Sequence, residues 1–128
     1  MNDLRTIVLV EDDPDIAVLA QLALREIGGI EVTHYGSGPA LLADQAAMVP
    51  DLYLLDFRLP EMTGEELLAK LRERPQSAAI PAIFMTASLM PDRIKALKVA
   101  GAMDVIAKPF DPLTLAEDIR ARYRAAQP

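Results

Sequence analysis

Glu11, Asp12, Asp56, Thr86 and Lys108 are the residues best suited to chemistry, and each stands just beyond an apolar run. The runs are Thr6–Val10, Leu52–Leu55, Ala82–Met85 and Asp104–Ala107. If their ends meet, Glu11, Asp12 and Asp56 crowd one pocket with Thr86 and Lys108 beside them. At ~4 Å and an effective dielectric near 20, each pair of carboxylates repels by about 4 kcal/mol. Lys108 offers a single compensating charge, so either a carboxyl pKa rises or a cation enters. The chain has no cysteine and one histidine, which leaves oxygen ligands. Such a set favours Mg²⁺, which takes one or two carboxylates and keeps several waters. Mg²⁺ beside a carboxylate, a hydroxyl and a lysine suits phosphoryl transfer. The metal and Lys108 neutralise phosphoryl oxygens, Thr86 donates a hydrogen bond, and Asp56, in the middle, attacks phosphorus in line.

That chemistry requires elements that bring the run ends together. The runs are too short for helices and rich in Ile, Val, Leu and Phe, which predicts buried parallel strands. Glu31–Tyr35 (EVTHY) mixes polar and apolar residues and suits a strand at the sheet edge. Helical patterns lie between the strands. Pro14–Ile27 places Ile16, Leu19, Ala20, Ala23, Leu24 and Ile27 on one face and stops at Gly28-Gly29. The others are Ser37–Val49 with Leu41, Leu42 and Met48; Glu65–Arg74 with Leu67, Leu68 and Leu71; Pro91–Ala100 with Ile94 and Leu97; and Pro112–Arg124 with Leu115, Ala116, Ile119 and Tyr123. Strict alternation predicts an α/β fold: a five-stranded parallel sheet flanked by five helices. In the order 2-1-3-4-5 the polar second strand is an edge. Strands 1 and 3 are then neighbours where the order reverses, the usual ligand site of such sheets.

As a set, these motifs are specific. IVLVEDDPDI, YLLDFRLPEMTG, IPAIFMTAS and GAMDVIAKPF together resemble the receiver domain of two-component response regulators over essentially the whole chain. The acidic pair, the D-x-x-x-P-x-x-x-G run at Asp56, Pro60 and Gly64, Thr86-Ala87 and Lys108-Pro109 carry the likeness. The strand order owes as much to this resemblance as to strand polarity, and the fold it implies is a flavodoxin-like three-layer αβα. The resemblance further implies that Asp56 takes a phosphoryl group from a sensor histidine kinase or a histidine phosphotransfer protein. It implies that Asp12 and Asp56 hold Mg²⁺ directly, Glu11 mainly through water, and Arg58 through its carbonyl. Thr86 and Lys108 would contact the phosphoryl group, and Lys108-Pro109 would be a cis peptide. A downstream protein target would read the changed face, and two copies could pair through helix 4, strand 5 and helix 5. Arg58 and Ser88 stand where such domains vary and are implied to set how fast phospho-Asp56 hydrolyses. One departure is Val105, where the family often has an aromatic residue that turns inward. Its absence shifts the expected response to the backbone of the Thr86–Pro91 loop and the fourth helix.

Length and composition are consistent with this reading. The 128 residues, 52 % hydrophobic and 25 % charged, suit a single globular domain over 1–128. No apolar run approaches the ~18 residues that cross a bilayer, and MNDLRT lacks a signal-peptide pattern, so a cytoplasmic protein without membrane contact is expected. A net charge of −6 argues against nucleic-acid binding by this chain. The expectation is a module that acts chemically on itself, by phosphorylation and slow autodephosphorylation, and is not an enzyme for a separate substrate. The chain ends soon after the fifth helix, which suggests a stand-alone regulator or an excised fragment.

The alternatives are weaker. A receiver-like adaptor that works without phosphorylation is one. An aspartyl-phosphate hydrolase of the haloacid dehalogenase kind wants a second Asp where this chain has Arg58. No G-x-G-x-x-G follows the first strand, which sets a nucleotide-binding domain aside. Several residues have simpler readings. Asp13 before Pro14 suits a helix N-cap, and Gly64 and Pro60 suit the shape of the loop. His34 reads as an ordinary edge-strand residue, and Met85, Met90 and Met103 read as core filling.

Overall fold

The computed structural model describes residues 3–44 and 49–127. Its strands are β1 (Thr6–Val10), β2 (Glu31–Tyr35), β3 (Leu52–Asp56), β4 (Ala82–Thr86) and β5 (Asp104–Ala107). They form one parallel sheet in the order β2-β1-β3-β4-β5. Every residue of β3 and β4 is buried. Successive side chains point to opposite faces, so the sheet carries two cores. Ile7, Leu9, Leu54, Ile83 and Met85 pack with the first and last helices. Val8, Val10, Leu55, Phe84 and Val105 pack with the middle three. A fully buried large apolar side chain contributes about 1.5–3 kcal/mol, so the central strands are a firm platform for whatever stands at their ends.

The helices are α1 (Pro14–Leu22), α2 (Gly38–Ala43), α3 (Gly64–Arg72), α4 (Pro91–Val99) and α5 (Leu115–Ala126). None among the described residues is long and apolar enough to cross a membrane. Asp13 caps α1 as its sequence position suggests, accepting the N–H groups of Asp15 and Ile16 at 2.9 and 3.3 Å. Thr63 and Glu66 form a reciprocal capping box on α3.

The expected first helix is corrected in its second half. After Leu22 the chain makes a π-helical turn over Ala23–Ile27, where the N–H of Gly28 reaches the carbonyl of Ala23. That extra residue per turn shifts the apolar phase of the last turn, whereas Leu19, in the regular first half, lies off the face that Ala17 and Ala20 bury. Ala17, Ala20, Ala23 and Leu24 are buried, while Leu19 is 42 % and Ile27 53 % exposed. The second helix is also shorter than expected. It ends at Ala43, and Asp44 is already extended; residues 45–48, Met48 among them, lie outside the described residues. The last helix starts at Leu115 rather than Pro112; the residues before it form a turn in which Asp111 accepts the N–H of Leu113 on its carboxylate and those of Thr114 and Leu115 on its carbonyl. Met85 is fully buried and Met103 packs against the core, but Met90 is 67 % exposed at the N-cap of α4 and fills no core.

Candidate functional site

The strand order converts residues distant in sequence into one cluster. β1 lies beside β3, β3 beside β4, and β4 beside β5. Asp56 and Thr86 are the last residues of β3 and β4, one residue further into the sheet than the apolar runs suggest. Glu11 follows β1 directly and Lys108 follows β5 directly. Glu11, Asp56 and Thr86 are buried at 1 %, 5 % and 5 % exposure, whereas Asp12 and Arg58 are exposed. One carboxylate oxygen each from Glu11, Asp12 and Asp56 lies within 4.8 Å of the others.

Lys108 reaches into this group. Its ammonium stands 2.8 Å from Glu11 Oε1 and 3.2 Å from Asp56 Oδ2. The peptide bond that follows it, Lys108-Pro109, is cis. Backbone donors hold the other carboxylate oxygens: Asp13 N–H donates to Glu11 Oε2 at 3.3 Å, and Arg58 N–H to Asp56 Oδ1 at 3.3 Å. Thr86 Oγ1 accepts the N–H of Ser88 at 3.2 Å, which leaves the hydroxyl hydrogen free to donate.

One ammonium against three carboxylates leaves an excess of negative charge, which shifts the pKa of both Glu11 and Lys108. Burial raises the pKa of Glu11, contact with Asp56 raises it further, and Lys108 only partly offsets both. Burial works against the Lys108 ammonium, but Glu11 and Asp56 outweigh it and raise its pKa above the ordinary value. A hard divalent cation meets this imbalance, and every side-chain donor present is an oxygen. Opposite ligands of an octahedral Mg²⁺ stand about 4.2 Å apart. The three carboxylate oxygens all lie within 4.8 Å of one another, close enough to surround a single ion.

The site also contains what the sequence reading left out. His34, expected to be an ordinary edge residue, places its Nε2 2.8 Å from the carbonyl oxygen of Glu11. Phe57 meets Phe84 edge-on and lies under the guanidinium of Arg93. Neither contact has a spacing signal, because both partners come from separate elements. Gly64 does carry one: a Cβ there would stand 2.7 Å from the carbonyl oxygen of Asp56, so the glycine of the D-x-x-x-P-x-x-x-G run lets α3 start against the end of β3.

The model of the response regulator receiver domain matches residues 7–120. The chain belongs to that family. Receiver domains are phosphoacceptor signalling modules of two-component systems, not enzymes with a separate substrate. Among similar proteins, the phosphate regulon transcriptional regulatory protein PhoB of Rhizobium meliloti is 35 % identical over 123 residues, covering 95 % of this chain and 53 % of that protein. The receiver thus spans about half the length of that curated relative. The chemotaxis response regulator CheY4 of Vibrio cholerae superposes with a TM-score of 0.84 at 26 % identity, covering 93 % of this chain and 98 % of that one. The receiver domain of a sensor histidine kinase from Pseudomonas aeruginosa PAO1, solved with a magnesium ion in its active-site cleft, gives 0.80 at 31 % identity, covering 95 % and 98 %. The αβα fold and strand order expected from the sequence agree with these structures.

Proposed function

We propose that Asp56 is the phosphoacceptor of this receiver and that residues 1–128 act as one unit in a phosphorelay. The donor in this reading is a phosphohistidine on a sensor histidine kinase or a histidine phosphotransfer protein. A carboxylate oxygen of Asp56 attacks phosphorus, the P–N bond breaks, and its electron pair leaves with the imidazole, which takes up a proton. The product is an acyl phosphate on Asp56, which water later hydrolyses slowly. Mg²⁺ bound by Asp12 and Asp56, by Glu11 through water and by the Arg58 carbonyl would supply positive charge against the phosphoryl oxygens. Lys108, already 3.2 Å from Asp56 Oδ2, follows the negative charge onto the phosphoryl group, and the free hydrogen of Thr86 donates to it. In this reading Arg58 and Ser88, two residues past Asp56 and Thr86, tune that rate.

Phosphorylation adds about one to two negative charges at this edge. The response runs into α4, whose only buried residue is Leu97. Val105 is small and packed against the core, so no aromatic turns inward there, and the loop from Thr86 to Pro91 carries the shift. Leu89, Met90 and Val99 are exposed on that side. A downstream protein target or a second copy meets the receiver there, across α4, β5 and α5.

The observation that carries this reading is the Lys108 ammonium bridging Glu11 and Asp56 at the end of β3. Incubation with acetyl phosphate and Mg²⁺ followed by intact mass tests it. Wild type gains one phosphoryl group, EDTA abolishes the gain, and Asp56→Asn gains none. A gain that survives Asp56→Asn, or multiple-turnover release of phosphate from ordinary monoesters, overturns it.

A further inference from the structure

We infer that His34 is a positioning residue of the metal and phosphoryl site, fixing the backbone of Glu11 and through it the direction of Asp12; this rests on the function proposed above. β1 and β2 run parallel with Val10 opposite Tyr35. The ladder continues one step past β1, where the N–H of Glu11 donates to the carbonyl of Tyr35 at 3.1 Å. A parallel ladder would next give the Glu11 carbonyl the N–H of Ser37. By then the chain has left the sheet: Ser37 caps α2, accepting the N–H of Ala40 at 3.1 Å. The imidazole of His34 takes the vacated place, with Nε2 2.8 Å from that carbonyl. A carbonyl only accepts, so Nε2 carries the hydrogen.

β2 therefore grips the backbone of Glu11 on both sides, one bond from main chain and one from side chain. This matters most for the acid that follows. The Glu11 carboxylate has Lys108 and the N–H of Asp13 to hold it. Asp12 is exposed, and among the described residues no hydrogen bond or ion pair of its side chain fixes it. Its carboxylate is aimed by the peptide between Glu11 and Asp12, whose carbonyl His34 holds. Without that bond the peptide can turn, and Asp12 drifts from the other two acids.

The chain contains one histidine, so its imidazole signals need no assignment. In the wild-type protein at about pH 8, where an ordinary imidazole is neutral, long-range nitrogen NMR is expected to show the Nε2–H tautomer, and adding Mg²⁺ is expected to move its signals. Calorimetric titration with Mg²⁺ gives the second readout. His34→Leu is expected to weaken Mg²⁺ binding about tenfold, the low end for outer-shell partners of metal sites. His34→Gln, whose amide can still donate, is expected to restore it to within about twofold. An Nδ1–H tautomer overturns the inference, as does a His34→Leu protein that melts earlier yet binds Mg²⁺ like wild type. If His34→Leu does not fold, the wild-type tautomer and its response to Mg²⁺ still decide. A wild-type protein that binds Mg²⁺ but never gains a phosphoryl group refutes the proposed function and leaves this positioning role intact.

Discussion

The guanidinium of Arg93 lies over the ring of Phe57, its Cζ 4.7 Å from the centroid. Phe57 directly follows Asp56, and its ring meets Phe84 edge-on with centroids 6.3 Å apart. The contact ties a lightly anchored α4 to β3, the strand that ends at Asp56. A partly exposed cation–π contact is worth about 0.5–1 kcal/mol, or about two- to fivefold in an equilibrium. Arg93→Gln should raise amide exchange across Pro91–Val99 by that factor and leave β3 unchanged. Equal exchange in the two proteins would mean that α4 is held elsewhere.

Lys108 touches both Glu11 and Asp56, and removing it strands two buried carboxylates. Lys108→Ala should lose about 2 kcal/mol of stability in EDTA. Mg²⁺ binding should persist, and Mg²⁺ should raise Tm by more than in wild type, since it becomes the only counter-charge. Phosphorylated Lys108→Ala should shift α4 poorly. Identical gains in Tm from Mg²⁺ for the two proteins would contradict this account.

Gly64 is surrounded by groups that cannot yield. A Cβ there would stand 2.7 Å from the Asp56 carbonyl oxygen, 2.7 Å from Phe84 Cε1 and 3.2 Å from Phe57 Cα. Gly64→Ala should cost about 2–3 kcal/mol, seen as a lower urea midpoint at unchanged slope. It should also slow labelling by acetyl phosphate, because the strain falls on the backbone of Asp56. Wild-type stability in this variant would show that the β3–α3 loop moves freely.

The phenol of Tyr35 donates to Asp44 Oδ2 at 2.7 Å. That bond, then burial, pushes its pKa up to about 12. In the unfolded chain a tyrosine titrates near 10. Above about pH 10 the unfolded state has therefore released a proton that the folded state keeps, and stability falls as pH rises further. The contribution is complete below about pH 10 and is lost toward about pH 12. Asp44→Asn should move the Tyr35 pKa back toward 10. Tyrosinate absorbance against pH, compared between the two proteins, checks this; superimposable curves would exclude the bond.

Much of this protein was legible because its strands are buried on both faces. Such strands read as short continuous apolar runs, and the polar residues that end them stand out: Asp56 after Leu52–Leu55, Lys108 after Asp104–Ala107. The polar strand EVTHY sits at the sheet edge as expected. Helix ends were less legible. The π-helical turn at Ala23–Ile27 has no marker in composition, and Ile27 within it faces outward. α5 starts at Leu115, after a turn capped by Asp111 that residue type alone did not separate from the helix.

By itself, the sequence determined the kinds of element, their alternation and the inventory of charged groups, since these follow from local periodicity and residue type. Only the tertiary structure decided which groups touch. That Lys108 bridges Glu11 and Asp56, that His34 holds the Glu11 carbonyl and that Arg93 covers Phe57 depends on strand order, register and the exit of each loop. Those are set by the packing of two cores against one twisted sheet, a sum over the whole chain that no short stretch contains.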